Sequence, residues 1–354
     1  MMVRTAGKVI FCALLVLAVA GVILEGLAGS WFARDPLSQL NLVRNATLVF
    51  DASSLYAGGG RVLYRRDAFG FRGRYPDPSH IDILTVGGSA TDQRYLTEGQ
   101  TWQDVLSANL SERGKSMSVV NAGVDGQSSY GHLKDFEAWF PTVPGLRPRH
   151  ILIYLGVNDV FSPQARVKDD LTGRETWRAW IQSRSALYRV YRTLRGMSLA
   201  RFQYPLSHRH VDFQTRHWTV FGRQDPRLTF PHIDVYRERL AAIDQRVRRM
   251  GAIPIWVSQP SRMYRSRGGQ IEGVDDTLRW ERGRINGVDF YHLLDSVNRE
   301  TMAFCRRTGG VCIDLEKDLP LDDADYYDYF HYTPQGARKI GDYLAARLRD
   351  LIRT

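Results

Sequence analysis

The 354-residue sequence contains three cysteines and no C-x-x-C pair, which argues against a zinc ribbon or a thioredoxin-like redox site. Lysine is scarce, with six residues, so arginine carries most of the net charge of +10. Such a charge can attract anionic partners such as lipid headgroups or acidic glycans. We favour the simpler interpretation, a compositional preference for arginine. Because no nucleic-acid-binding motif accompanies the charge, no nucleic acid partner is expected.

The three cysteines divide into one near the N-terminus and one close pair. Cys12 lies in an apolar segment, whereas Cys305 and Cys312 bracket the sequence Arg-Arg-Thr-Gly-Gly-Val. In an oxidising compartment the pair can close a small disulfide loop. Two buried free thiols are the alternative, and the sequence alone leaves both open.

An uninterrupted apolar run of sixteen residues extends from Val9 to Leu24, somewhat short of the ~20 residues of a full membrane span. Arg4 and Lys8 precede it, which favours a cytoplasmic N-terminus and an exported remainder. We expect residues 1–32 to form an uncleaved anchor, with the rest of the chain periplasmic or extracellular. The alternative is a signal peptide cleaved near Gly26-Leu27-Ala28 and a secreted protein.

Regular alternation of strands and helices begins at Ile81, after a lead-in segment at 33–80. Each predicted strand is a short, buried-type run followed by a helical pattern. This alternation predicts a parallel sheet of five strands, covered by helices on both faces. The predicted strands are 81–86, 118–121, 150–155, 253–257 and 311–315, and the main helices are 102–110, 130–140, 233–250, 288–307 and 333–353.

Two inserts interrupt the domain predicted over residues 81–354. The first, at 160–232, is rich in arginine, tryptophan, tyrosine and histidine, and the second, at 261–286, is also expected to be rich in loops. The first insert directly follows a strand, so a lid or substrate-binding role is one interpretation. Contact with a membrane surface is a variant of that role, and a decorative helical excursion is the alternative.

Four short polar stretches should meet at the carboxyl edge of one sheet, because the first three each follow a predicted strand and the fourth follows the last strand after an acidic loop. They are Gly87-Gly88-Ser89, Asn121–Gly126, Gly156–Asp159 and Asp328–His331. A serine hydrolase needs a nucleophile, a base, an acid that orients the base, and donors for the developing oxyanion. The four stretches contain every one of these groups.

Ser89 is the predicted nucleophile, His331 the base and Asp328 the orienting acid. The backbone N–H groups of Ser89 and Gly126 and the side-chain amide of Asn158 are the predicted oxyanion donors. Asp159 is interpreted as a local brace. No metal-ligand spacing is evident, and the following histidines are interpreted as structural: His132, His150, His208, His210, His217 and His292.

The four stretches resemble the consensus blocks of the SGNH (GDSL-type) hydrolase superfamily over about residues 81–352. Gly88 departs from the commoner Gly-Asp-Ser, as in membrane-anchored bacterial relatives, which also carry a turn like Phe69-Gly-Phe-Arg-Gly73. The resemblance implies a flavodoxin-like three-layer α/β/α fold and the same roles for Ser89, Asp328 and His331. Gly126 and Asn158 would complete the oxyanion hole, and no metal or organic cofactor is expected.

The resemblance implies ester chemistry without choosing the substrate. We expect a serine ester hydrolase that acts on O-acyl groups of an envelope or secreted glycan. The alternatives are an O-acyltransferase that acts on a polysaccharide, a lysophospholipase or lipase, and a non-catalytic SGNH-like binding module. The partner is accordingly an acylated small molecule, glycan or lipid, with the membrane contacted through the N-terminal helix. The oligomeric state stays open.

Overall fold

The chain divides into two compact units, one formed by residues 1–41 with 172–203 and the other by residues 42–171 with 204–354. Residues 42–80 thus lie in the same unit as the predicted hydrolase domain. Parts of the first insert, chiefly residues 162–176 and 192–203, lie outside the described residues. The computed structural model describes residues 2–29, 31, 37, 40, 42–111, 116–161, 177, 181, 184–188, 191, 204–225, 227–281 and 283–352.

Strands and helices alternate through the second unit. The strands are β1 (Ala46–Asp51), β2 (Arg61–Arg66), β3 (Ile83–Gly87), β4 (Val119–Asn121), β5 (His150–Tyr154), β6 (Trp218–Thr219), β7 (Ile253–Val257), β8 (Tyr264–Arg267), β9 (Gln270–Val274), β10 (Leu278–Trp280), β11 (Gly283–Ile285) and β12 (Val311–Ile313). The helices are α1 (Met2–Ala28), α2 (Ser89–Asp92), α3 (Trp102–Leu110), α4 (Ser129–Lys134), α5 (Val157–Phe161), α6 (Ile233–Arg249), α7 (Gly287–Thr308), α8 (Leu315–Asp318) and α9 (Pro334–Ile352).

The central sheet has five parallel strands in the order β12-β7-β5-β3-β4, which confirms the predicted sheet. Every residue of β3 and β5 is buried, as expected for central strands covered on both faces. Numbered by their order in the chain, the strands follow the 2-1-3-4-5 pattern of flavodoxin-like folds. The strand order reverses between β3 and β5, where such folds keep their ligands.

Two groups of helices cover the sheet and complete the predicted α/β fold. Helix α3 packs closely on α9, and a Cβ added at Gly341 would lie 2.6 Å from Cβ of Val105. Helix α6 packs against α4 and α7. The core beneath α3 and α9 includes Trp102, Leu106 and Leu344, each almost fully buried.

The prediction of a loop-rich segment at 261–286 is wrong, because β8 and β9 pair as an antiparallel hairpin and β6 joins them. Strands β10 and β11 form a second hairpin. Gly268 and Gly269 connect β8 to β9 with φ values of +58° and +81°. A Gly-Gly pair between two short strands is a hairpin signal, since both turn positions favour positive φ.

Helix α1 belongs to the first unit and carries the apolar N-terminal run. Its segment Phe11–Ala28 is long and apolar enough to cross a membrane. By length and composition, such a helix serves either as a membrane anchor or as a signal sequence.

Cys305 and Cys312 form a disulfide that joins the last turn of α7 to β12. Helix α7 ends at Gly309, whose φ of +72° reverses the chain toward the strand. Of the two alternatives that the sequence leaves open, a disulfide and two buried free thiols, the structure shows the disulfide.

Removing this disulfide with Cys305→Ala/Cys312→Ala should lower the free energy of unfolding by about 2–3 kcal/mol, because the short loop is no longer closed in the unfolded chain. Urea unfolding of the parent and the variant, each with and without reductant, measures the effect. Reductant should bring the parent to the level of the variant and leave the variant unchanged. A parent that is insensitive to reductant would contradict the prediction.

Candidate active site

Ser89 lies where β3 ends and α2 begins, at the carboxyl edge of the sheet. The turn needs glycine at position 87, because an added Cβ would lie 2.2 Å from Oγ1 of Thr91 and 2.4 Å from the carbonyl oxygen of Tyr154. Ser89 is the first residue of α2, so its backbone N–H has no acceptor within the helix. Both the hydroxyl and the N–H are thus presented at the strand order reversal.

The structure brings Ser89, His331 and Asp328 together in one hydrogen-bonded line. Nε2 of His331 lies 2.7 Å from Oγ of Ser89, and Nδ1 of His331 lies 2.8 Å from both carboxylate oxygens of Asp328. The backbone N–H groups of Phe330 and His331 also donate to Asp328, each at 2.9 Å. Such an arrangement can move a proton from the hydroxyl to the imidazole.

Asp328 is held as a carboxylate despite its burial. Burial by itself would raise the pKa of Asp328, but the neighbouring His331 and the donated hydrogen bonds outweigh it and hold the pKa below its usual value. An ionised Asp328 can orient the His331 ring and stabilise its protonated form.

The predicted oxyanion donors lie around the same edge. The amide of Asn158, in α5, donates through Nδ2 to the carbonyl oxygen of Gln127 at 2.7 Å, and that amide has a second N–H. Gly126 has a φ of +79°, and its backbone N–H makes no hydrogen bond with the described part of the chain. These groups are donors of the kind that stabilise an oxyanion.

Gly88 packs directly against this amide. A Cβ added at position 88 would lie 2.4 Å from Nδ2 of Asn158 and 3.2 Å from the carbonyl oxygen of Gln127. The aspartate of the commoner Gly-Asp-Ser block would therefore require Asn158 to move. Glycine at position 88, in place of the commoner aspartate, therefore leaves room for the side-chain amide of Asn158.

We expect Gly88→Ala to lower kcat by roughly 10- to 100-fold, a part of the effect of losing an oxyanion donor, because the new methyl group must displace Asn158. Hydrolysis of p-nitrophenyl acetate measures the effect, and urea unfolding checks the fold. Gly60→Ala is the matched control, since a Cβ there meets nothing within 4 Å. Equal rates for the two variants would contradict the close packing of Gly88 on Asn158.

Asp159 acts as the predicted local brace. Its carboxylate accepts hydrogen bonds from the backbone N–H and the hydroxyl of Ser129, at the start of α4. Burial raises the pKa of Asp159 to about 6, although these hydrogen bonds and nearby positive charges oppose the rise. Asp159 thus ties α5, which carries Asn158, to α4.

A buried ion pair beneath Ser89 was not anticipated from the sequence. Asp92, the last residue of α2, pairs with Arg66 at 2.5 Å and accepts a hydrogen bond from the hydroxyl of Tyr64. Burial alone would raise the pKa of Asp92, but Arg66 and its neighbours hold the pKa below its usual value. Arg72 donates to the carbonyl oxygens of Asp92 and Gln93. Residues of the lead-in segment thus support the short helix that begins with Ser89.

His208 also lies at the site, although the sequence interpretation treats it as a structural residue. Its ring stacks on that of His331, with centroids 4.0 Å apart, and meets Tyr95 edge-on at 4.9 Å. Nδ1 of His208 lies 2.8 Å from the hydroxyl of Tyr327. Burial is the main reason that the pKa of His208 is lowered to about 4, and the neighbouring His331 is the second. A neutral imidazole therefore covers one face of His331.

His208→Phe should make the protein less sensitive to acid. An ordinary histidine in the unfolded chain binds a proton below about pH 6.5, whereas folded His208 does so only near pH 4. The free energy of unfolding of the parent therefore falls as the pH drops through this window. In the variant, which has no imidazole at position 208, this fall should be smaller by about 1–3 kcal/mol. Urea unfolding at pH 7 and pH 5 measures it. The same loss of stability in variant and parent would contradict a low pKa for His208.

One group of side chains in the described residues could together hold a metal ion. It consists of His208, Asp328 and His331, with one nitrogen or oxygen atom of each within 4.8 Å of the others. Both nitrogen atoms of His331 are already engaged, one with Asp328 and one with Ser89. A metal ion could bind His331 only by replacing one of these hydrogen bonds.

Comparisons with known proteins found several similar solved structures. Solved structures similar to the chain include a psychrotrophic esterase from Pseudoalteromonas sp. (14% identity, 77% of this chain and 98% of that chain, TM-score 0.39). They also include a lipolytic protein of the G-D-S-L family from Veillonella parvula (16% identity, 77% of this chain and 97% of that chain, TM-score 0.41). A third is an acetylxylan esterase from Geobacillus stearothermophilus (12% identity, 75% of this chain and 93% of that chain, TM-score 0.43). A search of curated proteins found no significant match.

A parallel α/β sheet with a serine, a histidine and a carboxylate at its carboxyl edge is typical of hydrolases that cleave ester bonds. The sequence model of the GDSL-like lipase/acylhydrolase family matches residues 85–339. The chain belongs to this family, and we conclude that it is an ester-bond hydrolase. The match confirms the family predicted from the four polar stretches.

Proposed function

We propose that the protein is a serine ester hydrolase in which Ser89 is the nucleophile, His331 the base and Asp328 the orienting acid. The observation that carries the proposal is the 2.7 Å distance between Nε2 of His331 and Oγ of Ser89. This distance is within the range of a productive hydrogen bond.

In the proposed mechanism, Oγ of Ser89 attacks the ester carbonyl carbon as Nε2 of His331 takes its proton. The backbone N–H groups of Ser89 and Gly126 and the amide of Asn158 stabilise the oxyanion. His331 then returns the proton to the departing alcohol, which leaves an acyl group on Ser89. A water molecule, deprotonated by His331, releases the acid and restores the hydroxyl.

O-acyl groups of an envelope or secreted glycan are the proposed substrate. The support is a surface of arginine and aromatic side chains tied to the His331 loop. The guanidinium of Arg265 lies 4.0 Å from the ring centroid of Trp218, and the backbone N–H of Arg262 donates to the carbonyl oxygen of Tyr329. Aromatic rings stack on sugar faces, and arginine pairs with sugar carboxylates.

The catalytic unit is proposed to lie outside the cytoplasm, on a protein anchored by α1. Two observations support this location. Arg4 and Lys8 precede the apolar segment, as expected for a cytoplasmic N-terminus. The disulfide between Cys305 and Cys312 is of the kind that persists in oxidising compartments.

A deacylation screen of the detergent-solubilised full-length protein tests the substrate class. Acetylated glycans, short acyl esters and lysophospholipids are offered in parallel, with Ser89→Ala as the background. Release of acetate from a glycan above the rates on the simple esters is the expected result. Preference for lysophospholipids would contradict the glycan, and an absence of any turnover or fluorophosphonate labelling would contradict the enzyme.

A further inference from the structure

The carboxylate of Glu25, in the first unit, accepts four hydrogen bonds. It accepts a hydrogen bond from the hydroxyl of Ser185 at 2.5 Å and from the backbone N–H groups of Ala186 and Leu187 at 3.0 and 2.9 Å. Nε1 of Trp31 also donates to it, at 2.8 Å. The carboxylate therefore joins the apolar helix α1 to a segment that follows it by about 160 residues in the chain.

Glu25 is the one acidic residue in the apolar segment Phe11–Ala28. A charged side chain in such a segment is costly at membrane depth unless it is paired or hydrogen-bonded, and its partners mark a contact with a role. The donors from residues 185–187 supply that compensation.

A second contact lies one helical turn before Glu25. A Cβ added at Gly21 would lie 3.6 Å from Cδ1 of Leu187. Positions 21 and 25 share one face of a helix. The 185–187 segment therefore packs along that face of α1, through a small residue and a carboxylate.

Described residues on either side of 185–187 expose large apolar and aromatic side chains. Trp177 is 68% exposed, Ile181 37% and Tyr191 53%, and on α1 itself Val22 is 72% exposed. Aromatic side chains interspersed with arginine are typical of elements at the boundary between a membrane and water. Between residues 177 and 191 the sequence contains Arg178, Arg184 and Arg189.

From these contacts we infer that the described residues of 177–191, namely Trp177, Ile181, 184–188 and Tyr191, belong to a second membrane-contacting element, docked on a retained α1 by Glu25. Its partner is the surface of a bilayer that contains anionic lipid, because arginines near that surface are attracted to the headgroups. The inference rests on the proposed membrane location of the protein. Cleavage after Ala28 would remove the carboxylate that holds the segment, so α1 is part of the mature fold.

Cross-linking in lipid vesicles tests the docking. In full-length protein with Cys12→Ser, the pair Gly21→Cys/Leu187→Cys should form a disulfide on mild oxidation. The matched control is Gly26→Cys/Leu187→Cys, because a Cβ at position 26 meets nothing within 4 Å. Glu25→Ala added to the first pair should lose the cross-link. An intact mass that begins after Ala28, or equal cross-linking in test and control, would overturn the inference.

A fluorescent label tests the contact with lipid. The environment-sensitive dye NBD is attached to Trp177→Cys or Tyr191→Cys, in the Cys12→Ser background. In vesicles with phosphatidylglycerol its emission should shift to the blue, more than in vesicles of phosphatidylcholine alone. Val235→Cys, which replaces a 41% exposed residue of the catalytic unit, should stay water-like.

Water-like emission at positions 177 and 191 in both vesicles would overturn the lipid contact even if the cross-link forms. A shift that depends on protein concentration and is insensitive to lipid would assign the surface to a second copy of the chain instead. Turnover of a soluble ester is measured alongside. The two hypotheses can therefore be told apart. A Gly21→Cys/Leu187→Cys protein that forms no cross-link but keeps its turnover contradicts the docking alone, and one that forms the cross-link without turnover contradicts the hydrolase alone.

Discussion

Ser89→Ala should lower kcat/KM on p-nitrophenyl acetate by at least about 10³-fold, as in serine hydrolases that lose their nucleophile. The hydroxyl is the atom that the proposed mechanism acylates, and Nε2 of His331 lies 2.7 Å from it. The rest of the site stays in place, since His331 remains bound to Asp328 through Nδ1. Labelling by a fluorophosphonate should be lost together with turnover.

Ser258→Ala provides the matched control for this prediction. Ser258 directly follows β7, which β5 separates from β3 in the sheet, and its hydroxyl donates to Asp314 at 2.7 Å. It thus resembles Ser89 in its position and its carboxylate neighbour, but its hydroxyl is bonded to no imidazole in the described structure. We expect the control to keep its turnover and its labelling. Equal activity in Ser89→Ala and the parent would remove Ser89 from the mechanism.

The sheet and the position of the site follow from short-range patterns in the sequence. β3 and β5 are runs of aliphatic residues, and burial on both faces of a sheet requires such runs. The first three polar stretches come at the ends of their strands, so parallel pairing alone brings Ser89 and Asn158 to the same edge. The segment that begins at Asp328 precedes the last helix, which makes the position of His331 predictable as well.

The unexpected parts of the structure depend on contacts between distant segments. Asp92 finds Arg66 across 26 residues, and no spacing rule links a residue after Ser89 to a strand in the lead-in segment. His208 reaches His331 from the end of an insert, although a lone histidine is more often structural. Glu25 meets Ser185 across 160 residues. In each case the partner is selected by tertiary packing, which local patterns do not encode.

Asn158→Ala should lower kcat by about 10²- to 10³-fold and change KM little, because an oxyanion donor stabilises the transition state more than the bound ester. Asn158→Asp nearly preserves the size of the side chain while it removes the N–H donors, and it should lose activity to a similar extent. Asn109→Ala is the control, since that amide donates to Asp342 at the surface. A kcat for Asn158→Ala no lower than that of the control would exclude Asn158 as a donor.

The double variant Gly88→Ala/Asn158→Ala shows whether the two residues act as one unit. If Gly88→Ala lowers kcat only because its methyl group displaces the amide of Asn158, the double variant should be no slower than Asn158→Ala alone. Independent effects would multiply instead. If the two reductions in kcat multiply, a side chain at position 88 must also displace the backbone N–H of Ser89, which is the next residue in the chain. The first outcome would explain why this chain carries Gly88 in place of the commoner aspartate.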